Sequence, residues 1–131
     1  MNKVLLATLA LLPLAGCASG GKMSLVEQGY ARGSLGVAAL DRGDWAAAEQ
    51  AMSRKTSMIS ENDPARLINL GRVYMETGRP GAALTAWRLA AASSRQFDVE
   101  TSSGEVISTR ALAERLINQH AARAQSASLP D

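Results

Sequence analysis

Residues 63–90 read Asp-Pro-Ala-Arg-Leu-Ile-Asn-Leu-Gly-Arg-Val-Tyr-Met-Glu-Thr-Gly-Arg-Pro-Gly-Ala-Ala-Leu-Thr-Ala-Trp-Arg-Leu-Ala, and this stretch carries start and stop signals for two helices. Asp63 offers a side-chain oxygen to the N–H groups that a first helical turn leaves unpaired, and Pro64 follows at the first helical position, where its missing N–H costs nothing. Leu67, Leu70 and Tyr74 come at spacings of three and four, which gathers them on one helical face. Gly78 suits the left-handed position just beyond a helix end, and Pro80 opens the next helix. That helix places Ala83, Trp87 and Ala90 on one stripe. A connection of two or three residues makes the two helices antiparallel neighbours.

The same signals occur once before in the chain. Leu35-Gly36 recurs as Leu70-Gly71, Gly43 as Gly78, Ala48 as Ala83, and the large Met52 as Trp87, every pair 35 positions apart. A shared register at structurally demanding residues marks an internal repeat of helix pairs. Gly36 and Gly71 then fall inside helices, where glycine costs roughly 0.5–1 kcal/mol relative to alanine and needs a steric reason. The pattern supplies one: Ala48 and Ala83 on the facing helices let two backbones approach closely, with Met52 and Trp87 covering the gap.

These residues resemble the tetratricopeptide repeat. Asn69-Leu70-Gly71-x-x-Tyr74, Gly78, Ala83, Trp87 and Ala90 follow its pattern in the second unit, and Leu35, Gly36, Gly43-Asp44-Trp45 and Ala48 in the first. Departures are Ala39 where Tyr is usual, Lys55 where Ala is usual, Arg95 in place of a closing proline, and one extra residue in the connection at 60–63. Over residues 29–94 the resemblance implies an all-α fold of two helical hairpins, a short α-solenoid, whose first helices line a concave groove. The family's groove positions fall on Tyr30, Gly33, Ser34, Val37 and Asp41, and on Ala65, Ile68, Asn69, Arg72 and Glu76. Tyr30 and Ile68 would be apolar anchors and Arg72 the charged contact. Gly33 and Val37 stand where a basic clamp for a peptide carboxylate needs Lys and Asn, so the implied occupant is an internal peptide or a partner helix.

Two units bury their apolar faces only against neighbours, so a stable stack needs a closing element. Ser102 with Glu105 reads as a capping box, and Val106, Thr109, Ala113, Leu116, Ile117 and His120 share a helical stripe behind it. We therefore expect a C-terminal capping helix that completes a helical domain over 24–125, followed by a polar tail at 126–131. Residues 95–109 admit two readings. Loop followed by helix is favoured, since a lone two-stranded hairpin is marginal. The alternative pairs Phe97, Val99 and Thr101 with Val106 and Ile107 across Ser102-Ser103-Gly104, which would make Phe97 part of an exposed docking strand.

The N-terminus has a different character. Lys3 precedes Val4–Leu14, apolar except for Thr8 and Pro13, and small residues Ala15 and Gly16 follow, the order of a secretory signal. The run is shorter than the roughly 20 residues a membrane span requires. Leu14-Ala15-Gly16-Cys17 resembles the lipobox of bacterial lipoproteins, which implies removal of 1–16 and acylation of Cys17, the single cysteine. Acyl chains hold by about 0.8 kcal/mol per buried CH₂, and two or more anchor stably. Ala18 and Ser19 imply an outer-membrane lipoprotein facing the periplasm, tethered through residues 17–23. Ser24 with Glu27 fits a further capping box at the domain's start.

Reactive chemistry has little to draw on. A nucleophilic site needs a nucleophile, a base and an orienting group, and zinc needs three or four ligands; the one cysteine is committed to lipid, and the one histidine, His120, lies on the expected buried stripe as a structural residue. Lys+Arg number 14 against Asp+Glu 12, and the surplus falls to one once Lys3 leaves, too little to grip nucleic acid. No phosphate-cradling motif occurs. The sequence thus leads us to expect a non-enzymatic, cofactor-free and metal-free adaptor, bound to membrane by lipid and to an envelope protein by its groove. Secretion, pilus or wall assembly are processes such an adaptor would serve. The alternative is a structural lipoprotein that packs into a homo-oligomer without a separate client.

Overall fold

The computed structural model describes residues 30, 33–53, 59–101 and 103–128. Among them the order is α1 (Val37–Arg42), α2 (Trp45–Ser53), α3 (Pro64–Glu76), α4 (Pro80–Ala92), β1 (Asp98–Glu100), β2 (Val106–Ser108) and α5 (Thr109–Ala127). The signal segment, Cys17, the tether, the Ser24–Glu27 capping box, Lys55 and Ser102 lie outside the described residues. No helix of the described residues is long and apolar enough to cross a membrane.

The α3–α4 pair forms as its sequence dictates. The Asp63 carboxylate accepts from Ala65 N (3.0 Å) and Arg66 N (3.1 Å), with Pro64 at the first position. Thr77, Gly78 and Arg79 turn the chain, Gly78 at φ +75°, and α4 begins at Pro80. Gly43 closes α1 in the same way at φ +72°, and Asp44 Oδ1 then receives Ala47 N (3.1 Å) at the start of α2.

The 35-residue period is therefore spatial as well as sequential. Leu35, Leu70, Ala48, Ala83, Met52 and Trp87 are all buried. The core has two apolar clusters: one joins α1, α2 and α3 through Leu40, Ala48, Met52, Leu70 and Val73, and the other joins Leu35, α3, α4, the hairpin and α5. Polar ties cross between the units. Arg66 Nε donates to Met52 O (2.7 Å) near the end of α2, and Arg79 holds Glu49 by two hydrogen bonds of 3.0 and 2.7 Å.

The two repeated glycines are not equivalent. Gly71 lies within α3, where a Cβ would stand inside the Trp87 indole, 2.8 Å from Cε2. Gly36 is not inside a helix; it precedes α1 at φ +63°, with a hypothetical Cβ 3.1 Å from Ala48 O. The close approach of residue 36 to Ala48 is as expected, but the first helix of the first unit is only six residues long.

Residues 95–109 also correct the favoured reading. β1 and β2 form an antiparallel hairpin with Asp98 opposite Ser108, Val99 opposite Ile107 and Glu100 opposite Val106, so the fold is mainly helical, roughly as expected, with a small two-stranded sheet added. The capping box at Ser102 and Glu105 does not start α5. Ser108 does, its Oγ accepting from Ala111 N (3.1 Å), while Glu105 pairs with Arg115 at 2.7 Å through both oxygens. The hairpin is stable because it is not alone. Val99 and Ile107 bury their side chains beside Leu112 and Ala113, and Phe97 packs at the edge of the same cluster. Val106 consequently leaves the expected buried stripe and is 68% exposed.

Gln96 fastens this corner. Its Nε2 donates to Ala90 O (3.1 Å) and Ser93 O (2.8 Å), satisfying carbonyls at the end of α4, while Oε1 accepts from Thr109 Oγ1 (2.6 Å) at the start of α5. α5 packs mainly on α4 and closes the stack, with Thr109, Leu112 and Ala113 buried, Leu116, Ile117 and His120 half-buried, and residues 121–128 exposed.

Candidate partner-binding face

Of the ten groove positions implied by the repeat pattern, three are exposed: Gly33 ahead of α1, and two charged residues on the helices. Asp41 on α1 and Glu76 on α3 are exposed. Val37 precedes Asp41 by one helical turn and Arg72 precedes Glu76 by one, so each pair shares a helix side. Ala39 and Leu40 of α1 share one apolar cluster with Ala48 and Met52 of α2 and with Leu70 and Val73 of α3. The half-buried Arg72 carries its guanidinium 5.9 Å from the centroid of the Trp45 ring, a cation–π distance that holds a flexible side chain over a flat apolar plate. Trp45 was marked by the Gly43-Asp44-Trp45 signature only as a repeat residue. Its place under Arg72 depends on how α2 crosses α3, which no local spacing encodes.

The remaining positions are structural. Ile68 is 3% exposed and Asn69 2% exposed, and Ala65 is buried with them, so Ile68 is no apolar anchor for a ligand. The cause is the short α1. Because helix begins only at Val37, Leu35 lies in one apolar cluster with Ala65 and Ile68, and its carbonyl accepts from Asn69 Nδ2 (3.1 Å). The chain before α1 thus covers the N-terminal half of α3. Gly33 is exposed at φ +82°, and Ser34 is half-buried with its Oγ buried and without a hydrogen-bond partner among the described residues.

Tyr30 braces the start of α3. Its hydroxyl donates to the Asp63 carboxylate, 3.0 and 2.9 Å from the two oxygens, and its ring stands 6.3 Å from that of Phe97. Burial first, then the nearby Asp63 charge and the hydrogen bond to it, push the phenol pKa well above its ordinary value. Asp63 therefore caps α3 and holds the incoming chain at once. A similar plate-and-cation arrangement lies at the turn, where the Arg79 guanidinium is 4.6 Å from the Tyr74 centroid while paired with Glu49, whose carboxyl is held below its usual pKa by that hydrogen bond.

No group of three or more His, Cys, Asp or Glu side chains among the described residues could hold a metal ion. No family model matches the chain, and no curated protein or solved structure matches it either.

Proposed function

We propose that this protein is a lipid-anchored, non-enzymatic adaptor of the bacterial cell envelope, a member of the tetratricopeptide-repeat type, that receives a partner protein on the α1–α3 face. The observation that carries this reading is the coincidence of the repeat with helix pairs: Ala48 and Met52 in α2 and their counterparts Ala83 and Trp87 in α4, 35 positions on, are all buried, and α1, α2 and α3 share one apolar cluster. The surviving groove is narrower than the repeat pattern implies. It comprises Asp41, Arg72 on its Trp45 plate, and Glu76, with Val37 at the margin. Such a face suits a partner segment bearing basic groups for Asp41 and Glu76. The anchoring half of the proposal rests on Leu14-Ala15-Gly16-Cys17, which twelve residues separate from the first braced residue, Tyr30.

Two measurements test the halves separately. Cells expressing the full chain and fed radiolabelled palmitate should yield a labelled polypeptide, and Cys17→Ser should yield none; an unlabelled wild-type chain rejects anchoring. Asp41→Lys combined with Glu76→Lys should leave helical circular dichroism unchanged while abolishing envelope cross-links of the wild-type pattern; unchanged cross-links reject the face.

A further inference from the structure

The hairpin presents a second surface, on the other part of the fold and independent of the α1–α3 reading. Thr109 N donates to Phe97 O (2.9 Å) and Thr101 N to Glu105 O (2.9 Å), so these are hydrogen-bonded pairs of the ladder. Pairs alternate in an antiparallel ladder, which makes Val99 with Ile107 the bonded pair between them and leaves Asp98 and Glu100 with N–H and C=O groups aimed away from β2. The sheet has only two strands, and neither backbone unit finds a partner among the described residues. The outer edge of β1 is open.

Its side chains select what can pair there. Asp98 and Glu100 are exposed on one face of the hairpin, while Val99 between them is buried on the other. Val106, directly across from Glu100, is on the same outer face and exposed. Two copies of this chain joined edge to edge would set carboxylates against carboxylates, which opposes pairing. An added strand with lysine or arginine opposite Asp98 and Glu100 meets opposite charges, and the aliphatic stem of such a residue can lie over Glu100 toward Val106.

We propose that the outer edge of β1 is a strand-addition site for an extended, alternately basic segment of another protein, recognised by the open backbone groups and carboxylates of Asp98 and Glu100. In antiparallel addition the residues opposite Asp98 and Glu100 share their face and exchange hydrogen bonds with them. The basic residues of the partner therefore supply the pairing amides.

The test uses the full chain, isotope-labelled, with an end-blocked Lys-Val-Lys-Val-Lys pentapeptide as probe. Adding it should slow hydrogen exchange at the Asp98 and Glu100 amides, which are open in the free protein, and leave the already bonded Val99 and Ile107 amides unchanged. Asp98→Lys with Glu100→Lys, both at exposed positions, should weaken binding about tenfold. The same peptide methylated on its lysine backbone nitrogens should not bind. Absence of slowed exchange, equal protection by a Glu-Val-Glu-Val-Glu peptide or by the methylated one, or protection that appears on concentrating the protein alone would each overturn the proposal.

Discussion

Gly71 sits in mid-helix beneath the Trp87 indole, whose Nε1 donates to Ile68 O (3.2 Å). Alanine there would gain about 1 kcal/mol in helix propensity, yet its methyl group would occupy the space of a buried ring. Gly71→Ala should destabilise the protein by roughly 1–3 kcal/mol net, read as a lower urea midpoint, because overpacking outweighs propensity. Gly36→Ala should also destabilise, by about 1 kcal/mol or more, for a different reason: the left-handed backbone at φ +63° disfavours any Cβ. Both glycines were legible in the sequence as close-contact positions, but their opposite causes were not. The letter Gly records that a Cβ is excluded and does not say whether a ring or a backbone angle excludes it. Tyr30 was legible as important, but its tie to Asp63, 33 positions away, was not, since nothing local in the sequence joins the two. Tyr30→Phe should cost about 1 kcal/mol for the lost hydrogen bonds to the carboxylate. The raised phenol pKa fixes the sign of a pH effect. Stability from this contact is complete below the ordinary tyrosine pKa near 10 and is lost as pH rises through the higher folded value, so Tyr30→Phe should flatten the alkaline decline of the unfolding midpoint.

Among the elements, α3 and the start of α4 were readable because their caps, prolines and terminal glycine are local signals that tertiary contacts reinforce. The corner from α4 to α5 was not. Ser102 and Glu105 have the spacing of a capping box, but Glu105 is drawn to Arg115 and the hairpin between Phe97 and Thr109 buries Val99 and Ile107 against α5. Only that burial, a tertiary effect, lifts a three-residue strand pair above marginal stability. Gln96 joins the two helices across this corner. Gln96→Ala should leave carbonyls at the end of α4 and the buried Thr109 hydroxyl without their partner, at a cost of roughly 1–3 kcal/mol. Amide exchange should report the loss first in the last turn of α4 and the first turn of α5; a loss confined to α1 and α2 would show that the corner does not carry this role. α1 is the other element the repeat pattern overextended. A repeat register predicts equal helices, whereas the left-handed Gly36 starts α1 late and turns Leu35 over α3.

At the scale of the molecule, twelve residues separate Cys17 from Tyr30, and the extended reach from one to the other is at most about 47 Å. On the proposed anchoring, that bounds how far the helical stack stands from the lipid, and Tyr30 passes the tether's pull to Asp63 and the start of α3. Cys17→Ser should then shift the full chain from the membrane pellet to the soluble fraction, because it removes the thiol that would carry the acyl chains. The stack itself divides its surface. Asp41 and Glu76 lie on the α1–α3 face, whereas Thr85 and Arg88 are exposed on α4. The most direct test places a photoreactive side chain at each of these four positions in turn, in cells that make the protein, and compares covalent adducts after illumination. The account predicts a discrete adduct from positions 41 and 76 and none from 85 and 88; adducts from 85 and 88 alone, or equally from all four, would contradict it.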